Sequence, residues 1–369
     1  MLESRWRRQL GTGIAATAAI LAIASTTLGA PAAELAAPPI CGGDTAPSAS
    51  PRSAAWYRLD PVIDDGVRTG QRLQVGRIGG PAWTVDLDPE SFATGPFHGL
   101  VVTGTDDGRR STVSMADLGR GCTTVVGTSR DVIRRAVLAP DGASIFEFRV
   151  DRRDRRDLGV WRRSPGSDDA QQVLEPIPAD PAFGITWTTD LAWSADGRAL
   201  AVTSCGEAAC RIRVLDPATG GVQTVADPTL GGFVGLADER VVVRGACPGL
   251  PCPIVAVDLG DGSTHVLADA AGLAALVVGE DGRRNVIAYE ADASGGLLRT
   301  VTLDGVASQT FAAPDGLRPL GTHDGSGADL PAGWLLLGPD GRLPATPGTD
   351  VRAHHLADGQ TLRLDEVLP

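Results

Sequence analysis

Two short stretches carry the side chains best suited to chemistry: SCGEAAC, residues 204–210, and ACPGLPC, residues 246–252. Each holds two cysteines five positions apart, and Cys205 and Cys210 precede Cys247 and Cys252 by 42 residues. Four thiolates gathered from two such pairs would bind zinc tetrahedrally. In an oxidising compartment the same residues would close two small rings instead. No histidine stands near either pair, and the remaining two of six cysteines make an even set. The spacing therefore favours disulfides Cys205–Cys210 and Cys247–Cys252, with Cys41–Cys122 as the third.

The segment RVDRRDRRDLGVWRR, 149–163, sets seven arginines against three aspartates in a chain of formal charge -12. Guanidinium groups fork onto carboxylates and phosphates, so Arg152, Arg153, Arg155 and Arg156 are candidate binding residues. An internally paired, solvated loop is the competing reading. Trp161 would shield one side of that strand. The proline-rich connection EPIPADPAFGITW, 175–187, should reach the same face and offer Phe183 and Trp187 as aromatic anchors.

Catalytic and metal motifs are thin. The sequence has no GxSxG elbow, HExxH, Walker loop or EF-hand. His354 and His355 are neighbours on an expected strand, so they point to opposite faces and cannot share one ion. His323, Asp324 and Asp329 in THDGSGAD are weak metal candidates; calcium is the alternative to a chain without a cofactor.

These groups must be positioned by a repeat. AVTSCGEAACRIRVLDPATGGVQTVAD lies over VVRGACPGLPCPIVAVDLGDGSTHVLAD, with Asp216 on Asp258, and FATGPFHGLVVTGTDDGRRSTVSMADLGRG adds an earlier copy with Asp117 in the same place. RRAVLAPDGASIFEFRV, DLAWSADGRALAVTS and AALVVGEDGRRNVIAYE each show strand, Asp-Gly turn, strand. Glycine supplies the positive φ that such hairpins require. Repeats of roughly 40–45 residues with four short strands each specify an all-β protein, a β-propeller of antiparallel four-stranded blades. Counting Trp56 to Pro89 as an incomplete first blade gives seven blades; folding it into its neighbours gives six.

LAWSADGRALAVTS, and more loosely AVLAPDGASIFEF, resemble the repeat of TolB-type, WD-repeat-like β-propellers, whose blades carry a Trp-Ser-Pro-Asp-Gly-like turn. The resemblance implies the fold and no chemistry, and TolB's separate domain in front of the propeller finds no room here. In propellers of this kind the loops between second and third strands share a face with the connections between blades, commonly the ligand-binding face.

The first 32 residues read as a signal peptide: Arg5, Arg7 and Arg8, an uncharged run, then Ala30 and Ala32 before a cleavage point. The uncharged run is also long enough for an uncleaved anchor, though weakly hydrophobic. Residues 33–52 read as a flexible linker and 53–369 as the propeller. All 33 basic residues are arginine, and the pI is about 4.9. An acidic chain repels nucleic-acid phosphates, so no nucleic-acid partner is expected. The sequence thus points to a secreted, monomeric, non-catalytic propeller of the cell envelope. It would bind a protein or envelope polymer through its loop face and have no membrane span after cleavage. The alternative is a propeller enzyme with a channel-bound metal, of lactonase or sugar-converting type.

Overall fold

The computed structural model describes residues 41, 55–79, 82–97, 99–178, 187–194, 197–206, 210–226, 230–237, 239–245, 247, 251–290, 296–314, 317–320, 326–339, 351–364 and 366. The expected signal peptide lies outside them, as does the expected linker apart from Cys41. Every sheet has four antiparallel strands, and there are seven sheets.

The first blade begins with β1 (Ala55–Asp64), β2 (Val67–Arg77) and β3 (Ala82–Leu87). The second holds β4 (Phe92–Phe97), β5 (Leu100–Asp106), β6 (Ser111–Asp117) and β7 (Cys122–Ser129), and the third β8 (Val132–Leu138), β9 (Ile145–Val150), β10 (Asp157–Arg163) and β11 (Ala170–Leu174). The fourth runs β12 (Trp187–Trp193), β13 (Leu200–Cys205), β14 (Cys210–Leu215), β15 (Val222–Ala226); the fifth β16 (Leu230–Ala237), β17 (Arg240–Gly245), β18 (Cys252–Asp258), β19 (Thr264–Ala271). The sixth has β20 (Leu273–Val278), β21 (Arg284–Glu290), β22 (Leu297–Thr302) and β23 (Ala307–Ala312). Then come β24 (Leu317–Pro319), β25 (Ser326–Ala328), β26 (Trp334–Pro339), β27 (Arg352–His355) and β28 (Thr361–Arg363).

Seven blades, rather than six, follow from the way the ring closes. The seventh blade is ordered β24, β26, β27, β28, while β25 leaves it to become the inner strand of the first blade, beside β1. Trp56 faces Ala328 there, and the Asp329 N–H donates to the Ala55 carbonyl at 2.7 Å. The closure buries Trp56 and Ile78 of the first blade against Leu336, Ala353 and Leu364 of the seventh. Each of the other six interfaces between consecutive blades has one such cluster; Phe92, Val102 and Val113 meet Ala136, Leu138 and Ile145 between the second and third. Both faces of a blade are covered, so its second strand is buried on both sides: all six residues of β9, IFEFRV, are buried. The outer strand β23, ASQTFA, is almost wholly exposed.

The repeated turns do what their residues predict. Gly142, Gly197 and Gly282, in the hairpins after the inner strands, all have φ near +70 to +76. Asp117, Asp216 and Asp258, the residues the repeat aligns, each accept backbone N–H groups of the turn that follows the third strand. All these turns lie on one face. The opposite face carries the loops between second and third strands together with the connections between blades.

His354 and His355 do point to opposite sides of β27. His354 is 1% exposed, hydrogen-bonded through Nδ1 to Thr361 Oγ1 at 2.9 Å, and burial pushes its pKa down. His355 bridges Asp358 at 2.8 Å and Glu280 of the sixth blade at 2.9 Å. Partial burial opposes its protonation, yet the bonds to Asp358 and Glu280 outweigh it, and its pKa is raised above 6.5. The linkage therefore has opposite signs. The His355 clasp stabilises fully below the ordinary histidine pKa and fades as pH rises through its folded value. The neutral His354 stabilises above that pKa and turns against folding as pH falls through its own folded value. In an NMR titration the His355 ring should titrate above 6.5 and the His354 ring below it. A reversed order would disprove the assignment.

Candidate functional site

All six cysteines are paired: Cys41–Cys122, Cys205–Cys210 and Cys247–Cys252. No thiolate remains to hold zinc. Cys205 and Cys210 face each other across β13 and β14, with Cα atoms 4.0 Å apart, so the ring staples the loop at the tip of that hairpin. Its counterpart closes the same loop of the fifth blade. Both open on the face that carries the inter-blade connections.

The arginine segment does not form one cluster, because strand geometry divides it. Arg149 on β9 and Arg163 on β10 turn inward onto Glu147, which is 0% exposed. Arg149 Nη2 and Arg163 Nη2 lie 2.8 and 2.9 Å from Glu147 Oε2, and Arg163 Nε is 2.5 Å from Oε1. Arg163 Nη1 also donates to the carbonyls of Thr128 and Ser167, close against Gly127 of the second blade, where any side chain would collide with the guanidinium. Arg149 sits 4.7 Å over the Trp161 ring, and Arg162 donates to Ser144 Oγ at 2.9 Å. Three of the seven arginines therefore serve the blade itself.

The remaining four are on the loop joining β9 to β10. Arg152 forks onto Asp106, Nη1 to Oδ1 at 2.8 Å and Nη2 to Oδ2 at 2.6 Å, and donates through Nε to the Arg130 carbonyl. The Arg152 hydrogen bonds outweigh burial and, with Ser111 and Gly108, hold the Asp106 carboxyl down at about 2. Arg156 meets Asp154 at 3.6 Å with both side chains mostly exposed. Arg153 and Arg155 are exposed. Arg155 is at φ 62, although the same pattern of turn bonds at Asp216 places Gly220 there, at φ 75. An L side chain in that region costs about 1–2 kcal/mol, strain of the kind that gathers at functional loops.

Arg152 also brings in residues that the sequence did not single out. Together with Arg109, Arg110, Arg130 and Arg153 it lines an open concavity of about 750 Å³ between the second and third blades. Asp107, Asp131 and Asp151 are there too; Asp107 and Asp151 each turn an oxygen back onto their own loop's N–H groups, while Asp131 adds to the negative field around Arg152. Among the described residues, Arg109, Arg110, Arg130 and Arg153 have no carboxylate within ion-pair distance. The signal that could have found them is the pairing of DDGRR, 106–110, with the arginine loop one repeat later.

A second hollow, of about 270 Å³, lies at the same end of the central channel. Inner strands β8, β12 and β16 each carry a bulge near their start, which re-aims side chains toward the channel. Arg135 and Asp190 pair there at 2.9 Å. Beside them the buried Tyr57 hydroxyl is pushed up to about 12, by burial above all.

Of the other expected site residues, Phe183, His323 and Asp324 lie outside the described residues. Trp187 is the first residue of β12, opposite Cys205. Asp329 accepts the Gly99 N–H at 3.0 Å near the ring closure. Among the described residues, no three His, Cys, Asp or Glu side chains gather as a metal set.

No family model matches the chain, and no curated protein matches it. Solved structures do. TolB from Acinetobacter baumannii is similar at 15% identity and TM-score 0.46, over 70% of this chain and 65% of that one. Oligopeptidase B from Leishmania major is similar at 12% identity and TM-score 0.53, over 84% of this chain and 48% of that one. An oligogalacturonate lyase in complex with manganese is similar at 12% identity and TM-score 0.49, over 83% of this chain and 84% of that one. The chain thus spans about two thirds of the length of TolB and about half that of the peptidase. At such identities the likeness concerns fold alone. The chain is a seven-bladed β-propeller of antiparallel four-stranded blades.

Proposed function

We propose that this chain is a non-catalytic binding propeller that grips an anionic partner, a protein or an envelope polymer, through its loop face. The observation that supports this best is the arginine-lined concavity: five arginines against three aspartates, with four of the guanidinium groups in no ion pair among the described residues, in a chain of charge -12. Unpaired cations held this close repel one another, and a polyanion relieves the repulsion while accepting forked hydrogen bonds. Arg152, fixed by Asp106, braces the floor, so the surface is shaped before the partner arrives. The long β1–β2 hairpin projects on the same face and exposes Ile63 and Val67, apolar contacts suited to a protein partner.

Three disulfides are consistent with an extracytoplasmic location, since such bonds persist where the surroundings are oxidising. Secretion through a signal peptide over residues 1–32 is part of the proposal.

Polyglutamate and polyglycerol phosphate serve as probes, one a polycarboxylate and one a polyphosphodiester. At low salt the protein should retain at least one of them, with affinity falling as salt rises. Replacing Arg109, Arg110, Arg130 and Arg153 together by serine should weaken binding by more than about tenfold, or 1.4 kcal/mol. Equal retention by the variant, or none by the wild type, would remove the basis for the proposal.

A further inference from the structure

We infer that the mouth of the central channel is a binding site for a small monocarboxylate with an apolar body, held by Arg244 and the Thr203 hydroxyl. This site is separate from the arginine rim and rests on different observations.

Arg244 belongs to β17, the second strand of its blade, and a side chain there is normally screened from the channel by the inner strand. In the fifth blade the inner strand β16 breaks register twice, between Leu230 and Phe233 and again between Phe233 and Gly235. Gly232 lies in the first break, and a Cβ on it would come within 2.8 Å of Arg244 Nη2. The missing side chain is what lets the guanidinium pass across the inner strand to line the hollow. Among the described residues no carboxylate pairs with it. Arg135, the other cation there, is neutralised by Asp190. The hollow therefore carries one uncompensated positive charge.

The second observation is a hydroxyl without a partner. Thr203 is 2% exposed and lines the hollow, yet its Oγ1 is bonded to nothing, while Thr189 Oγ1 spends its proton on the Thr203 carbonyl. A buried orphan of this kind costs free energy that a ligand oxygen would recover. Phe233, Val234 and Leu273 supply an apolar wall.

The charge count sets the ligand class. One free fork matches one carboxylate, whereas a phosphate dianion would need a second free cation. About 270 Å³ is near the lower end of ligand cavities, so the body must be small.

Isovalerate and phenylacetate, with isovaleramide and phenylacetamide as uncharged matches, test this by calorimetry and thermal shift on the full chain. At least one acid should bind and raise the melting midpoint, and its amide should bind at least about tenfold more weakly. Arg244→Met should abolish the acid's effect. Thr203→Val preserves shape and removes only the orphaned hydroxyl, so it should weaken binding without lowering the midpoint of the free protein; it decides the matter if Arg244→Met fails to fold. The fourfold rim variant should bind the acid as the wild type does. Binding of neither acid, equal binding of acid and amide, survival of binding in Thr203→Val at wild-type strength, or its loss in the rim variant would each overturn the inference.

Discussion

Replacing Glu147 by glutamine is expected to cost about 3–5 kcal/mol of stability, the loss typical when one member of a buried ion cluster is removed. Glu147 and Arg163 are both fully buried, and Arg149 is nearly so. The carboxylate balances one of the two guanidinium charges and accepts hydrogen bonds from both. Without it, two buried guanidinium groups face each other, offset only by the exposed Asp168 carboxylate 4.0 Å from Arg163 Nη1. Glutamine keeps the shape, so the loss reports charge and not a cavity. Urea unfolding should show a lower midpoint with an unchanged slope. The companion variant, Arg149→Met with Glu147→Leu and Arg163→Met, removes charges and desolvation cost together and should come out close to the wild type. A loss below about 1 kcal/mol for the glutamine variant would mean that solvent screens the cluster as it screens surface pairs.

This cluster also marks where sequence reading stops. The repeat, the Asp-Gly hairpins and the aligned Asp117, Asp216 and Asp258 were legible because each depends on neighbours within one or two turns of chain. The two short disulfide pairs were legible for the same reason, since five residues across a hairpin bring two cysteines face to face, and Cys41–Cys122 followed as the pair left over. Arg149 and Arg163 looked like part of a surface cluster because adjacency along the chain says nothing of the side to which a strand turns each residue. Glu147 stands between two phenylalanines in β9, and nothing in that run names its partners. Arg109 and Arg110 join Arg152 and Arg153 only because neighbouring blades set two hairpin tips side by side. Arg244 was harder still, since its access to the channel depends on two register breaks in β16, and nothing in LGGFVGLA beyond its glycines hints at them. The closing strand β25 is three residues, SGA, with no strand pattern; its pairing is imposed by the open edge of β1.

Opening the Cys41–Cys122 bridge, by serine at both positions, is expected to lower stability by about 4 kcal/mol, against about 2 for either short ring. The difference comes from ring size. The long bridge joins residues 81 positions apart, the short ones residues 5 apart, and the entropy withheld from the unfolded chain grows with the logarithm of that length. Location adds to it, because Cys41 donates its N–H to the Thr123 carbonyl at 2.8 Å and so extends the outer edge of the second blade. Loss of the bridge frees that contact as well. The Cys205–Cys210 ring has a different role: Cys205 borders the hollow at the channel mouth, so its removal should affect ligand affinity more than the unfolding midpoint. Measuring both quantities on both double-serine variants separates the two roles. Equal stability losses for the long and short rings would show that strain or residual structure in the unfolded chain, and not loop entropy, governs these bridges.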